Sequence, residues 1–92
     1  MVNKKRVLIV EDDRSLARLM QTYLNSHGFE VMLEVQGDQG LSCIIKERPD
    51  LVILDMMLPN MNGLDVCRAS RQHYDGLILM LTASDHDDAL KN

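Results

Sequence analysis

Aromatic residues are scarce: one Phe, two Tyr and no Trp among 92 residues. That excludes a stacking platform for single-stranded nucleic acid or sugar. Cysteine is nearly absent too. Cys43 and Cys67 alone make neither a disulfide framework nor a zinc site. No apolar run exceeds five residues, so no transmembrane helix is expected. Lys4, Lys5 and Arg6 precede only four apolar residues, which end in three acids, so this is no secretory signal. A cytoplasmic protein is expected. Positive charge is not in excess: the net charge is −4, and a mildly acidic domain does not grip nucleic acid by itself. There is no repeat and no low-complexity tract, which excludes a fibrous protein. What remains, at 46% hydrophobic and 26% charged, is one small soluble globular domain.

The apolar residues fall into an alternating pattern. Short runs at Arg6–Val10, 29–35, 50–54 and Leu77–Leu81 read as strands, and their continuous apolarity suggests a parallel sheet buried on both faces. Helical spacing lies between them. Leu16, Leu19, Met20, Tyr23 and Leu24 form one stripe, with Asp13 placed to cap and Gly28 placed to end the helix. Leu41, Ile44 and Ile45 repeat the spacing, and Pro49 stops that helix. Residues 63–73 read as a weaker helix in which Val66 and Cys67 face inward and Ser70 interrupts the stripe. Asp85 is placed to cap a fourth helix, inside which the chain ends. The strand starts are 23, 21 and 27 residues apart, the cadence of a βα repeat with right-handed crossovers. The class is α/β with an open parallel sheet.

Sites on such sheets form at the carboxyl ends of the strands. Glu11, Asp12 and Asp13 follow the first run, Asp55 ends the third, and Thr82, Ala83 and Ser84 end the fourth. If strands one and three are neighbours, the carboxylates converge, repel and raise one another's pKa. A hard divalent cation is the usual relief, and Mg²⁺ suits a few carboxylates plus water and a phosphoryl oxygen. The same set suits phosphoryl transfer: a carboxylate can take the group as a nucleophile, with the Thr82 hydroxyl bonding its oxygens.

Plainer roles compete for several of these residues. Asp13 is better read as a helix cap than as a ligand. Met56, Met57, Met61 and Met80 read as packing, and Cys43 and Cys67 as small hydrophobes on helices. The cluster Asp85, His86, Asp87 and Asp88 reads as an acidic first helical turn. His27 and His73 lie near helix C-termini, where partial positive charge is favourable.

Taken together, Val7-Leu8-Ile9-Val10-Glu11-Asp12-Asp13, Asp50-Leu51-Val52-Ile53-Leu54-Asp55-Met56-Met57-Leu58-Pro59, Gly63 and Leu81-Thr82-Ala83 resemble the receiver domain of bacterial two-component response regulators. The likeness runs from Lys5 to Leu90 and is strongest to the winged-helix transcription-factor branch. It implies a flavodoxin-like sheet of order 2-1-3-4-5. It implies that Asp55 accepts a phosphoryl group from a sensor histidine kinase. Asp12 would be the direct Mg²⁺ ligand, with Glu11 acting largely through water and the Met57 backbone carbonyl completing the site. Thr82 would be the switch hydroxyl, and Pro59 and Gly63 would shape the mouth of the site.

The fifth strand, its terminal lysine and the fifth helix have no counterpart in the sequence. Lys91 is no substitute, because it falls in the stub of the fourth helix. Residues 1–92 are therefore expected to be an incomplete receiver of order 2-1-3-4, with DNA binding left to an absent C-terminal domain. The apolar run Leu77–Leu81 is then expected to be an uncovered edge that drives self-association or domain swapping. Two other functions compete. A Mg²⁺-dependent phosphohydrolase typically carries a second Asp two residues after the nucleophile, where this chain has Met57. A receiver-like module that only binds partners would not respond to metal.

Overall fold

The computed structural model describes residues 3–81. They form β1 (Arg6–Val10), α1 (Arg14–Ser26), β2 (Glu30–Glu34), α2 (Gly37–Glu47), β3 (Leu51–Asp55), α3 (Gly63–Ser70) and β4 (Leu77–Leu81). The strands make one parallel sheet in the order β2-β1-β3-β4. The expected α/β class and the adjacency of strands one and three are both present. The expected fourth helix, with Asp85, His86, Asp87, Asp88 and Lys91, lies outside the described residues, as does Thr82.

Two layers of side chains hold the sheet. On one face Leu8, Val10, Val52 and Leu54 pack against Ile44 of α2 and Val66 of α3. On the other, Val7, Ile9 and Ile53 pack against Met20 and Leu24 of α1. Full burial of the apolar strands holds only for β1 and β3. β2 and β4 flank the described sheet and are half-open, with Leu77 68% and Leu79 53% exposed. The α1 stripe is likewise half covered. Met20 and Leu24 pack inward, while Leu16, Leu19 and Tyr23 are exposed. Periodicity marks the apolar side of a helix but not the width of the surface that covers it. A shallow apolar cleft of about 480 Å³ runs between Leu19, Met20, Tyr23, Leu24 and Ile53.

The punctuation follows local chemistry. Asp13 Oδ1 accepts from the Leu16 amide at 3.1 Å, so the expected cap is present. Gly28, at φ 89°, turns the chain into β2. Arg48 takes a left-handed conformation before Pro49, which cannot continue the helix. α3 stops at Ser70, earlier than the expected 73. Ser70 does not break the inner face. It is fully buried, and its hydroxyl donates to the Cys67 carbonyl at 3.0 Å, which satisfies it inside the core. Cys43 and Cys67 are free thiols packed against the core, in the bland role expected of them.

The lower rim, at the amino ends of the strands, is tied by Arg6. Its guanidinium donates to the Glu47 side chain at 2.8 Å and to the Glu47 carbonyl at 2.7 Å. Tyr74 is buried there, and its hydroxyl donates to the Pro49 carbonyl at 2.6 Å. The opposite rim is left to the acids.

Candidate functional site

Register places the acids. β1 and β3 pair from Val7 with Leu51 to Val10 with Leu54, so Glu11 and Asp55 emerge side by side at the carboxyl rim. Glu11 is held there by its backbone, whose amide donates to the Glu34 carbonyl at 3.0 Å. Glu11, Asp12 and Asp55 each offer a carboxylate oxygen, and these atoms lie within 4.8 Å of one another. Glu11 and Asp55 are buried, 4% and 3% exposed, while Asp12 is open to solvent. The three acids singled out in the sequence are thus brought together. Asp13 is not among them, because its carboxylate is spent on α1.

The crowding shows in Glu11. Burial is the chief cause that raises its carboxyl from 4.5 to about 7. A hydrogen bond from the Asp13 amide to Oε2, at 3.1 Å, opposes the shift. The charge of Asp55 and carboxyl hydrogen bonds with Asp55 and Asp12 add to it. Among the described residues the salt bridges belong to Arg6, at the far rim, and none reaches the cluster.

Such a donor set fits a hard divalent cation. Every donor is a carboxylate oxygen, without nitrogen or sulfur to favour a softer metal. Two positive charges would favour the ionised form of Glu11 against its burial and against the neighbouring acids.

The loop after β3 completes the rim. The Met57 amide donates to Asp55 Oδ1 at 3.2 Å, an Asx turn that fixes the carboxylate. Reading the sequence for metal ligands overlooks this amide, although an Asp two residues before a loop position is its local signal. Asn62 caps α3 by accepting from the Asp65 amide at 2.9 Å, and Gly63 returns its own amide to the Met56 carbonyl at 2.9 Å. A Cβ at Gly63 would strike the Asp55 carbonyl, so only glycine lets the helix start this close to β3. Met57 is exposed, and its side chain makes no part of the cluster.

Comparison with known proteins agrees with this geometry. Residues 7–92 match the response regulator receiver domain family. The chain belongs to that family. This receiver is 46% identical over 80 residues to the DNA-binding response regulator MtrA of Mycolicibacterium paratuberculosis, a match covering 87% of the chain and 36% of MtrA. It is 42% identical over 81 residues to the transcriptional regulatory protein RstA of Escherichia coli, covering 88% of the chain and 34% of RstA. The receiver therefore spans about a third of the length of the curated relatives it matches. Among solved structures, the BeF3-activated N-terminal receiver domain of Klebsiella pneumoniae RstA superposes with a TM-score of 0.79 at 34% identity. That superposition covers 95% of this chain and 78% of the other. No helix of the described residues is long and apolar enough to cross a membrane.

Proposed function

We propose that this receiver takes a phosphoryl group on Asp55 from the phosphohistidine of a sensor kinase, with Mg²⁺ as cofactor. The observation that carries the reading is the convergence of Glu11, Asp12 and Asp55 at one rim, with Asp55 buried and pinned through Oδ1. Oδ2 of Asp55 is then the attacking oxygen. Its new bond to phosphorus forms as the phosphorus–nitrogen bond breaks, and the imidazole nitrogen keeps the electron pair. Asp12 and Asp55 would be the direct metal ligands, with Glu11 contributing mainly through water and the Met57 carbonyl adding a third direct protein oxygen. Bound there, Mg²⁺ supplies charge neutralisation on the transferring group. Thr82 is assigned the switch hydroxyl from its place directly after β4.

We propose further that this receiver is part of a longer parent protein, as the matching segment is in its relatives. That parent is a cytoplasmic signalling regulator, not a metabolic enzyme, and phosphorylation alters DNA binding by a C-terminal domain. The 92-residue chain itself is proposed to self-associate through β4, which among the described residues pairs on one side only. The competing phosphohydrolase has no support at position 57, where the loop offers a Met and not a second carboxylate. Labelling tests the proposal: with Mg²⁺ and phosphoramidate, the intact mass gains one phosphoryl group, and Asp55→Asn gains none. Undiminished uptake by the variant refutes the assignment.

A further inference from the structure

The loop over the site has a seat on α2. Gly37, the first residue of that helix, is buried against the backbone of Met61. A Cβ at position 37 would stand 2.9 Å from the Met61 carbonyl carbon, and closer still to its oxygen. Gly37 lies outside the left-handed region, so its neighbour and not its own conformation requires glycine. Next to it, Gln36 makes no cap bond to α2. Its Oε1 accepts instead from Asn60 Nδ2 at 3.2 Å. Asn60 has φ 72°, a conformation that Asn tolerates better than most residues.

We infer that Gly37 is a positioning residue of the metal site, setting how the loop 56–62 sits over Asp55. The inference rests on the phosphoacceptor reading and adds a residue to it. The loop is held at three points: Gly63 on the Asp55–Met56 backbone, Met61 on Gly37, and Asn60 on Gln36. Met57 lies between them, with its amide on Asp55. The obstacle to a side chain at 37 is backbone, which cannot rotate aside. Displacement of Met61 passes up the loop, because its amide bonds the carbonyl of Pro59 at 2.8 Å and proline is stiff. Mg²⁺ demands near-ideal octahedral geometry, so a shift of the Met57 carbonyl is felt as lost affinity.

The test is a Mg²⁺ titration of the full chain, followed by amide shifts at Asp12 and Met57, with thermal melts alongside. Gly37→Ala is expected to weaken Mg²⁺ binding about tenfold, as other residues that orient metal ligands do. Gln36→Ala, which loses one exposed hydrogen bond, is expected to weaken it about twofold. Gly28→Ala is the stability control. It strains a φ of 89° at the opposite rim, and is expected to melt lower yet bind Mg²⁺ like the parent. Parent-like affinity in a folded Gly37→Ala overturns the inference. If that variant does not fold, unchanged affinity in Gln36→Ala overturns it. A parent chain that gives no Mg²⁺ response removes the phosphoacceptor reading itself, and is seen before any change at 36 or 37.

Discussion

Oδ1 of Asp55 accepts the Met57 amide at 3.2 Å while its carboxylate sits within 4.8 Å of those of Glu11 and Asp12. One group thus serves as a loop anchor and as a like-charge neighbour. Asp55→Asn separates the two. The amide oxygen of Asn can still accept from Met57, but the charge is gone. Without metal at pH 8, the variant is expected to be more stable than the parent by about 1 kcal/mol, read by urea denaturation. A destabilised variant would mean that the anchor outweighs the repulsion.

Glu11 sets the pH dependence. Its folded-state carboxyl is raised to about 7 from an ordinary 4.5, first by burial and then by its acidic neighbours. Between pH 4.5 and 7 the folded chain holds a proton that the unfolded chain has lost. Stability without metal therefore falls as pH rises through that window, and is flat in this group's contribution below 4.5. Asp55→Asn should flatten the slope only in part, since burial remains. Melts at pH 5, 6, 7 and 8 check this, and a slope of opposite sign contradicts the burial of Glu11.

The same proton competes with metal. Mg²⁺ needs the carboxylates ionised, so its apparent affinity should drop as pH falls below about 7, where Glu11 takes up a proton. Replacing Glu11 by Gln removes the titration and should leave weaker binding with a flatter pH profile. Titrations at pH 6 and 8 in both proteins decide it.

Strand positions were legible where β-branched and Leu runs met charges. Arg6–Val10 and Leu77–Leu81 fall where the apolar residues do. The third strand is shifted by one from the expected 50–54. Asp50 lies at the rim, its carboxylate accepting from the Arg6 amide at 2.7 Å, and Asp55 completes the strand by pairing with Leu81. The acidic site was legible because a parallel order puts Glu11 and Asp55 on one rim. Exposure of Leu19 and Tyr23 was not, since a stripe carries no record of what covers it. The seat of Met61 on Gly37 was also hidden. It joins residues 24 apart in sequence through backbone, with no pattern of side chains to announce it.

Tyr74 tests the lower rim. Its hydroxyl donates to the Pro49 carbonyl at 2.6 Å inside the core, and burial pushes its pKa above 10. Tyr74→Phe keeps the ring but leaves a buried carbonyl short of its donor. A loss of about 1–2 kcal/mol is expected in urea denaturation. Mg²⁺ affinity should be unchanged, because Pro49 lies before β3, at the end away from Asp55. An altered affinity would show that the two rims are coupled.

Leu79 tests the open edge. β2 carries Glu30 and Glu34, charges that discourage another chain from pairing with it. β4 is Leu-Ile-Leu-Met-Leu, without a charge, and Leu77 and Leu79 are largely exposed. By alternation these two share the α1 face with Ile53 and the apolar cleft beside it. Among the described residues, exposed apolar side chains and a strand paired on one side only therefore coincide at one place. In sedimentation velocity the 92-residue chain should grow larger with concentration. Leu79→Lys places a charge on that edge where the parent already exposes the side chain to water. It should shift the chain toward monomer at a stability cost below about 1 kcal/mol. A parent chain that sediments as a monomer at every concentration would dispose of the edge-pairing argument, because the variant would then have nothing to prevent.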